Sequence, residues 1–239
     1  MSADDLAKPW ETTRRGMLLL VSSPAGAGKT SLTRTLVADH DSLMLSISAT
    51  TRAPRPGEEE AREYYFKTRD EFEAMIEAGE FLEHATVNGN YYGTPKAPVM
   101  AALERGHDVI FDIDWQGAAQ IAEKAPQDSV RVFILPPAWS DLERRLRARA
   151  QDSEEIMEAR LRLGQEEIRH WRMYDYVIVN KNFDRAYADL GHIYRAERLK
   201  PQRNTWLPGF VEGLLAEAGG AHAEQGAPPR TTMLRPTQK

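Results

Sequence analysis

The stretch Ser23-Pro24-Ala25-Gly26-Ala27-Gly28-Lys29-Thr30 has the residue types and spacing of a loop that holds a polyphosphate. In such a loop consecutive backbone N–H groups point inward at phosphate oxygens, helped by the N-terminus of the helix that follows. Lys29 would reach the β- and γ-phosphates and Thr30 would ligate Mg2+. The strict pattern has glycine where Ser23 stands, and a small residue there still closes the turn. Asp112 and Asp114 end the apolar run "DVIFDID". Their i, i+2 spacing would put both carboxylates on one strand face at the edge of a parallel sheet, where ligands bind. One of them would hold Mg2+ through water or touch a substrate. Arg52 and Arg55 share a loop with the hydroxyls of Ser48, Thr50 and Thr51. Two guanidinium forks on one loop suit a phosphate monoester; the plainer alternative is surface pairing with Glu58 to Glu60. Glu83 is an acid of buried type, with Tyr91 and Tyr92 close behind it.

These groups need elements to position them. "MLLLVSS" (Met17–Ser23) is a short continuous apolar run, as in a strand buried on both faces. Leu32 and Leu36 then recur at helical spacing, giving strand, glycine-rich turn and helix. Leu43–Ser48, Tyr64–Phe66, Asp108–Asp114, Val130–Pro137 and Tyr174–Asn180 read as further strands. Asn88-Gly89 between β-prone runs signals a hairpin. Helices are expected over "RDEFEAMIEAGEF", over "APVMAALERGH" ending at Gly106, from Ala118, over the arginine-rich stretch 140–170, and over "FDRAYADLGHIYRAERL". Strands alternating with helices imply right-handed crossovers and a parallel sheet. Two regions leave that rhythm: a β-rich insert over about 48–95 and a mobile helical flap over about 140–170. In the flap Arg145 and Arg149 share one helix face, with Arg160 about three turns further on; Arg144 and Arg147 read as a solvated face.

Composition narrows the functional classes. The chain has 239 residues, 41% of them hydrophobic, and no cysteine. No disulfide framework is available, so a reducing, cytoplasmic compartment is expected. No segment approaches the ~20 apolar residues that span a bilayer, and the polar N-terminus, with early acids, does not read as a secretory signal. A net charge of −5 argues against a nucleic-acid coat. Neither a nucleic-acid nor a membrane partner is expected, and a homo-oligomer stays open.

The ordered runs "SATTRAPRPGE", "EYYF", "GEFLEHATVNGNYYGT" and "DIDWQG" strongly resemble guanylate kinase, the ATP:GMP phosphotransferase, from about Met17 to Tyr194. The resemblance implies an α/β fold: a P-loop NTPase-type parallel sheet core flanked by helices, with a small β-rich GMP-binding insert and a helical lid. Its parts would be a polar arm (1–16) and a guanylate kinase-like domain (17–195). Within that domain the core would cover 17–47, 96–139 and 171–195, the GMP-binding region about 48–95 and the lid about 140–170. A C-terminal extension (196–239) would follow, disordered from about 216. The resemblance further implies that residues 23–30 bind ATP, and that Mg2+ is the cofactor, held at Thr30 and, partly through water, at Asp112. Arg52, Arg55, Tyr64 and Tyr92 look like ligands of the GMP phosphate and Glu83 like the reader of guanine. Ser48, Thr94 (often serine in relatives) and Asp114 look like the remaining base contacts. Lys29, Arg145, Arg149 and Arg160 would act on the transferring phosphate, and Asn180 is expected near the adenine. GMP, dGMP and ATP would be the small-molecule partners.

Three other readings compete. A catalytically silent guanylate kinase-like interaction module should have lost the loop lysine or the phosphate arginines, whereas Lys29, Thr30, Arg52 and Arg55 are present. A P-loop kinase of phosphorylated sugars would lack Glu83 and its tyrosines. A nucleic-acid binder using the basic flap conflicts with the acidic balance. Trp206, Leu207 and Phe210 are left over as candidates for packing on the core or on a second subunit.

Overall fold

The computed structural model describes residues 14–87, 89–149 and 154–224. Along the chain run β1 (Leu18–Ser22), α1 (Lys29–Ala38), β2 (Leu43–Leu45), β3 (Ser48–Thr50), β4 (Tyr64–Phe66), α2 (Arg69–Glu77), β5 (Phe81–Val87), β6 (Asn90–Pro95) and α3 (Lys96–Glu104). Then follow β7 (Asp108–Asp112), α4 (Trp115–Lys124), β8 (Ser129–Leu135), α5 (Trp139–Arg149), α6 (Glu154–Arg169), β9 (Tyr176–Val179), α7 (Phe183–Arg198) and α8 (Leu207–Glu224).

Five strands form a parallel sheet in the order β2-β7-β1-β8-β9. The central β1 is apolar on both faces because helices cover both. Leu19 and Val21 pack with Leu32 and Leu36 of α1 and Leu190 of α7. Leu18 and Leu20 pack with Leu103 of α3 and Ala118 and Ile121 of α4. Each of those leucines is fully buried, and removing one from water stabilises the fold by about 2 kcal/mol. The chain leaves β1 towards β2, returns to β7 beside β1, and continues at β8 on the other side. β1 is therefore the switch point of the sheet, where ligands bind beyond the carboxyl ends of the strands.

A second sheet, β4-β3-β6-β5, forms the insert. One of its faces packs Ala49 and Phe81 against Phe72 of α2, a helix started by a Thr68–Glu71 capping box. The pairing of β5 with β6 shifts between Phe81 and Glu83. Residues two apart on a strand normally share a face. The extra residue here turns Glu83 away from Phe81, onto the face that also carries Ser48, Tyr92 and Thr94. The hairpin expected at Asn88-Gly89 joins these two strands; Asn88 itself lies outside the described residues, and Gly89 has φ +79°.

Two expectations need correction. The run Leu43–Ser48 is two strands, one in each sheet, broken at Ser46, whose N–H donates to the carbonyl of Ile110 at 2.9 Å. β7 ends at Asp112, so Asp114 does not share a strand face with it. Asp114 is the N-cap of α4 and accepts from the N–H of Gly117 at 2.9 Å, which starts that helix at Trp115 rather than Ala118. Beyond Asn204 the described residues form a separate unit with the helix α8; residues 225–239, most of the tail expected to be disordered, lie outside the described residues. The alanines and glutamates of α8 are strong helix formers and outweigh its glycines.

Candidate active site

Residues 23–28 form a turn from the end of β1 into α1. Gly26 and Gly28 have φ of +90° and +99°, a region that side chains disfavour. Gly28 is the N-cap of α1. Asn180, at the end of β9, donates its side-chain amide to the carbonyl of Ala27 at 2.8 Å. A Cβ added at Gly28 would lie 2.4 Å from that amide nitrogen, so only glycine lets Asn180 brace the loop. Ser23 is buried, and its hydroxyl donates to the carbonyl of Pro24 at 3.0 Å. Arg145 of α5 donates to the carbonyl of Asn180 at 3.2 Å.

Lys29 places Nζ 2.6 Å from Asp112 Oδ1 and 3.0 Å from the carbonyl oxygen of Ile113. Thr30 donates its hydroxyl to Asp112 Oδ2 at 2.6 Å. A cavity of about 320 Å³ opens here, lined by the loop, Lys29, Thr30, Asp112 and Glu167. Glu167 escaped the sequence reading. It comes from α6, where Gly164 is buried close to Pro24 and Leu142, and it sits one turn further along the same helix face. Its carboxylate accepts from the backbone of Ala25, and burial pushes its pKa up. Its Oε2 is buried with no hydrogen-bond partner. Nothing in "GQEEIRHW" marks it apart from its neighbour Glu166.

The insert brings the other predicted residues together on one face. Thr94 donates to Glu83 Oε1 at 2.8 Å and lies 3.4 Å from the hydroxyl of Ser48. Glu83 is 8% exposed. Burial, with Asp114 nearby, pushes its pKa above the usual carboxylate range, against the pull of the Thr94 hydrogen bond. The rings of Tyr64 and Tyr92 meet edge-on at 6.1 Å, and the guanidinium of Arg52 lies 5.4 Å from the centre of Tyr64. The carboxylate of Glu58 accepts from Arg52 at 2.8 Å, and Arg55 is exposed on the same loop.

A family model described as guanylate kinase matches residues 15–197. The chain belongs to the guanylate kinase family. A guanylate kinase of Caulobacter vibrioides is 57% identical over 203 residues, 85% of this chain and 95% of the relative. That of Maricaulis maris is 53% identical over 218 residues, 91% of this chain and all of the relative. The crystal structure of guanylate kinase from Anaplasma phagocytophilum is 35% identical, covers 84% of this chain and 95% of its own, and has a TM-score of 0.66. The fold is accordingly the P-loop type with a helix-flanked parallel sheet, and the chain is a nucleoside monophosphate kinase.

The two helices over the predicted flap place the arginines unequally. Arg145 reaches the end of β9 beside the phosphate loop. Arg149 is the last residue of α5 and Arg160 is exposed on α6. Arg144 pairs with Asp141, and Arg147 with Glu143 and Glu154, which is the solvated face expected of them. His170, just past α6, stacks on Trp115 with ring centres 3.6 Å apart, tying the end of the flap to the start of α4. No described helix is long and apolar enough to cross a membrane.

Proposed function

We propose that this site transfers the γ-phosphate of ATP directly to GMP or dGMP, giving ADP and GDP or dGDP, with the loop at 23–30 as the donor site and the insert face as the acceptor site. The observation that carries this reading is the junction between β7 and α4. Asp112 there holds Lys29 and Thr30, and Asp114, just beyond, lies close enough to Glu83 to raise its pKa. One short segment thus serves both ends of the cleft.

Glu83 accepts from guanine N1–H and the exocyclic amine. Adenine offers no such pair of donors, and a buried carboxylate left unpaired costs about 1–3 kcal/mol. Ser48, Thr94 and Asp114 complete the base contacts. Arg52 and Arg55 neutralise the GMP phosphate, to which Tyr64 and Tyr92 donate. A GMP phosphate oxygen is already a nucleophile, so the chain supplies neither a base nor a covalent intermediate. It aligns the reactants and neutralises charge, through the loop of residues 23–28, Lys29, and Arg145, Arg149 and Arg160 from the lid. Lid closure excludes water and so suppresses ATP hydrolysis. Thr30 and Asp112 offer adjacent hard oxygen donors that fit Mg2+, with Asp112 acting partly through water. When bound, the ion neutralises phosphate charge. Asn180 braces the loop through one amide N–H, donated to Ala27, and its second N–H and its Oδ1 are the groups that would meet the adenine.

An ADP-release assay with ATP, Mg2+ and GMP, dGMP, AMP, CMP or UMP tests the reading. Turnover confined to the guanine nucleotides is expected; equal rates with AMP would overturn the role given to Glu83.

A further inference from the structure

The loop between β3 and β4 folds a carboxylate back onto its own arginine. Pro56 and Gly57 occupy the centre of a turn from Arg55 to Glu58, closed by the N–H of Glu58 donating to the carbonyl of Arg55 at 3.0 Å. Gly57 has φ +89°, the value that the third position of a type II turn demands. The turn delivers Glu58 to two donors. Its Oε2 accepts from the backbone N–H of Arg55 at 2.8 Å and from Arg52 Nη2 at 2.9 Å, and its Oε1 accepts from Arg52 Nη2 at 2.8 Å. Arg52 Nη1 donates to the carbonyl of Ala53 at 2.7 Å. The Arg52 and Glu58 side chains are 15% and 17% exposed, against 53% and 67% for the nearby pair Arg62–Glu59.

The other glutamates of the loop have other work. Glu59 pairs with Arg62. Glu60 accepts from the N–H of Phe66 at 2.8 Å, and Glu63 from that of Glu59 at 2.8 Å. Glu58 is the one that addresses Arg52. The pairing of Arg52 also differs from an ordinary surface ion pair, which contributes little: its guanidinium is held between a carboxylate, a carbonyl and the Tyr64 ring.

We propose that Glu58 is a positioning residue for the acceptor phosphate. It fixes the Arg52 fork against Tyr64 and ties the Arg55 backbone to the same carboxylate before GMP arrives. Arginine has more N–H donors than these two partners use, so the fork still has hydrogens for a phosphate oxygen. Ordering the fork in advance removes an entropic cost from binding. The inference rests on the reading of Arg52 as a GMP phosphate ligand.

Calorimetric titrations of GMP and of guanosine into the wild type, Glu58→Ala, Glu58→Gln and Arg52→Ala, with kcat and KM for GMP, test it. In Glu58→Ala the Kd and KM for GMP should rise about tenfold, as for a lost charged hydrogen bond. Guanosine binding and kcat at saturating GMP should stay close to wild type. Glu58→Gln, which keeps an acceptor oxygen, should recover part of the loss. Unchanged or tighter GMP binding in Glu58→Ala, with binding lost in Arg52→Ala, overturns the proposal and marks Glu58 as a competitor of the phosphate. Unchanged binding in both variants overturns it together with the reading of Arg52. Equal losses for guanosine and GMP in Glu58→Ala also overturn it, because they mark a general structural role.

Discussion

Asp112 and the Ile113 carbonyl hold the Lys29 ammonium beside the loop of residues 23–28. That charge is therefore aimed at the donor pocket, and its removal should be felt by the reaction rather than by the acceptor. Lys29→Ala is expected to lower kcat by about a thousandfold while GMP affinity measured by calorimetry stays near wild type; equal losses in both would place Lys29 in the scaffold. Glu83 gives a second test. Burial raises its folded pKa above its unfolded value, so the folded state holds the proton more tightly. Stability is then lost as pH rises through the window above the usual carboxylate pKa. Glu83→Gln should accordingly melt no lower than wild type at pH 7.5, while KM for GMP rises about tenfold or more. In the wild type, kcat/KM for GMP should fall on acidification through that window, and the mutant should keep only the part that belongs to the nucleotide phosphate. Lys29, Thr30, Arg52 and Glu83 were legible in the sequence because each sits in a motif with fixed spacing. Glu167 was not, and Glu58 was legible only as one of three glutamates, Glu58 to Glu60, that could pair with the loop arginines. A carboxylate among carboxylates carries no mark of which one a helix face or a turn will deliver to the site.

Elements decide that delivery. Continuous apolar runs announced the strands of the core, yet "LMLSIS" held no sign that its two halves join different sheets, since both halves satisfy the same pattern. The residue at Leu82 that re-aims Glu83 was equally silent, because the bulge exists only relative to the register of β6. Asp114 read as a strand acid until its capping bond to Gly117 made it part of a helix. The helices α5 and α6 show the same dependence on local packing. At Gly164 the nearest atoms to an added Cβ are 3.5 and 3.6 Å away, on Leu142 and Pro24. Alanine fits there; a longer chain must push α6 off the phosphate loop. Gly164→Leu is therefore expected to raise KM for ATP by about tenfold or more and to leave GMP binding intact, whereas Gly164→Ala should behave as wild type. Matching behaviour of the two variants in ATP titrations would remove α6 from the donor site.

At the scale of the molecule, the insert has its own sheet and its own apolar nucleus of Ala49, Phe72 and Phe81, small beside the two clusters that flank the core sheet. Local opening needs least free energy where few apolar contacts hold a region. Amide hydrogen exchange should show β3 to β6 opening together and below the threshold of β1, β7 and β8, and GMP should slow exchange in the insert while ATP slows it around residues 23–30. Uniform protection across both sheets would refute that division. The split has a consequence for ancestry. The insert occupies a single crossover, leaving after β2 and returning through α3 to β7, the strand beside β2. The residues proposed to choose the acceptor base lie largely on that excursion, and those proposed to grip the donor lie on the core. Selection could therefore exchange one acceptor for another by rewriting a single connection, while the donor machinery was inherited unchanged.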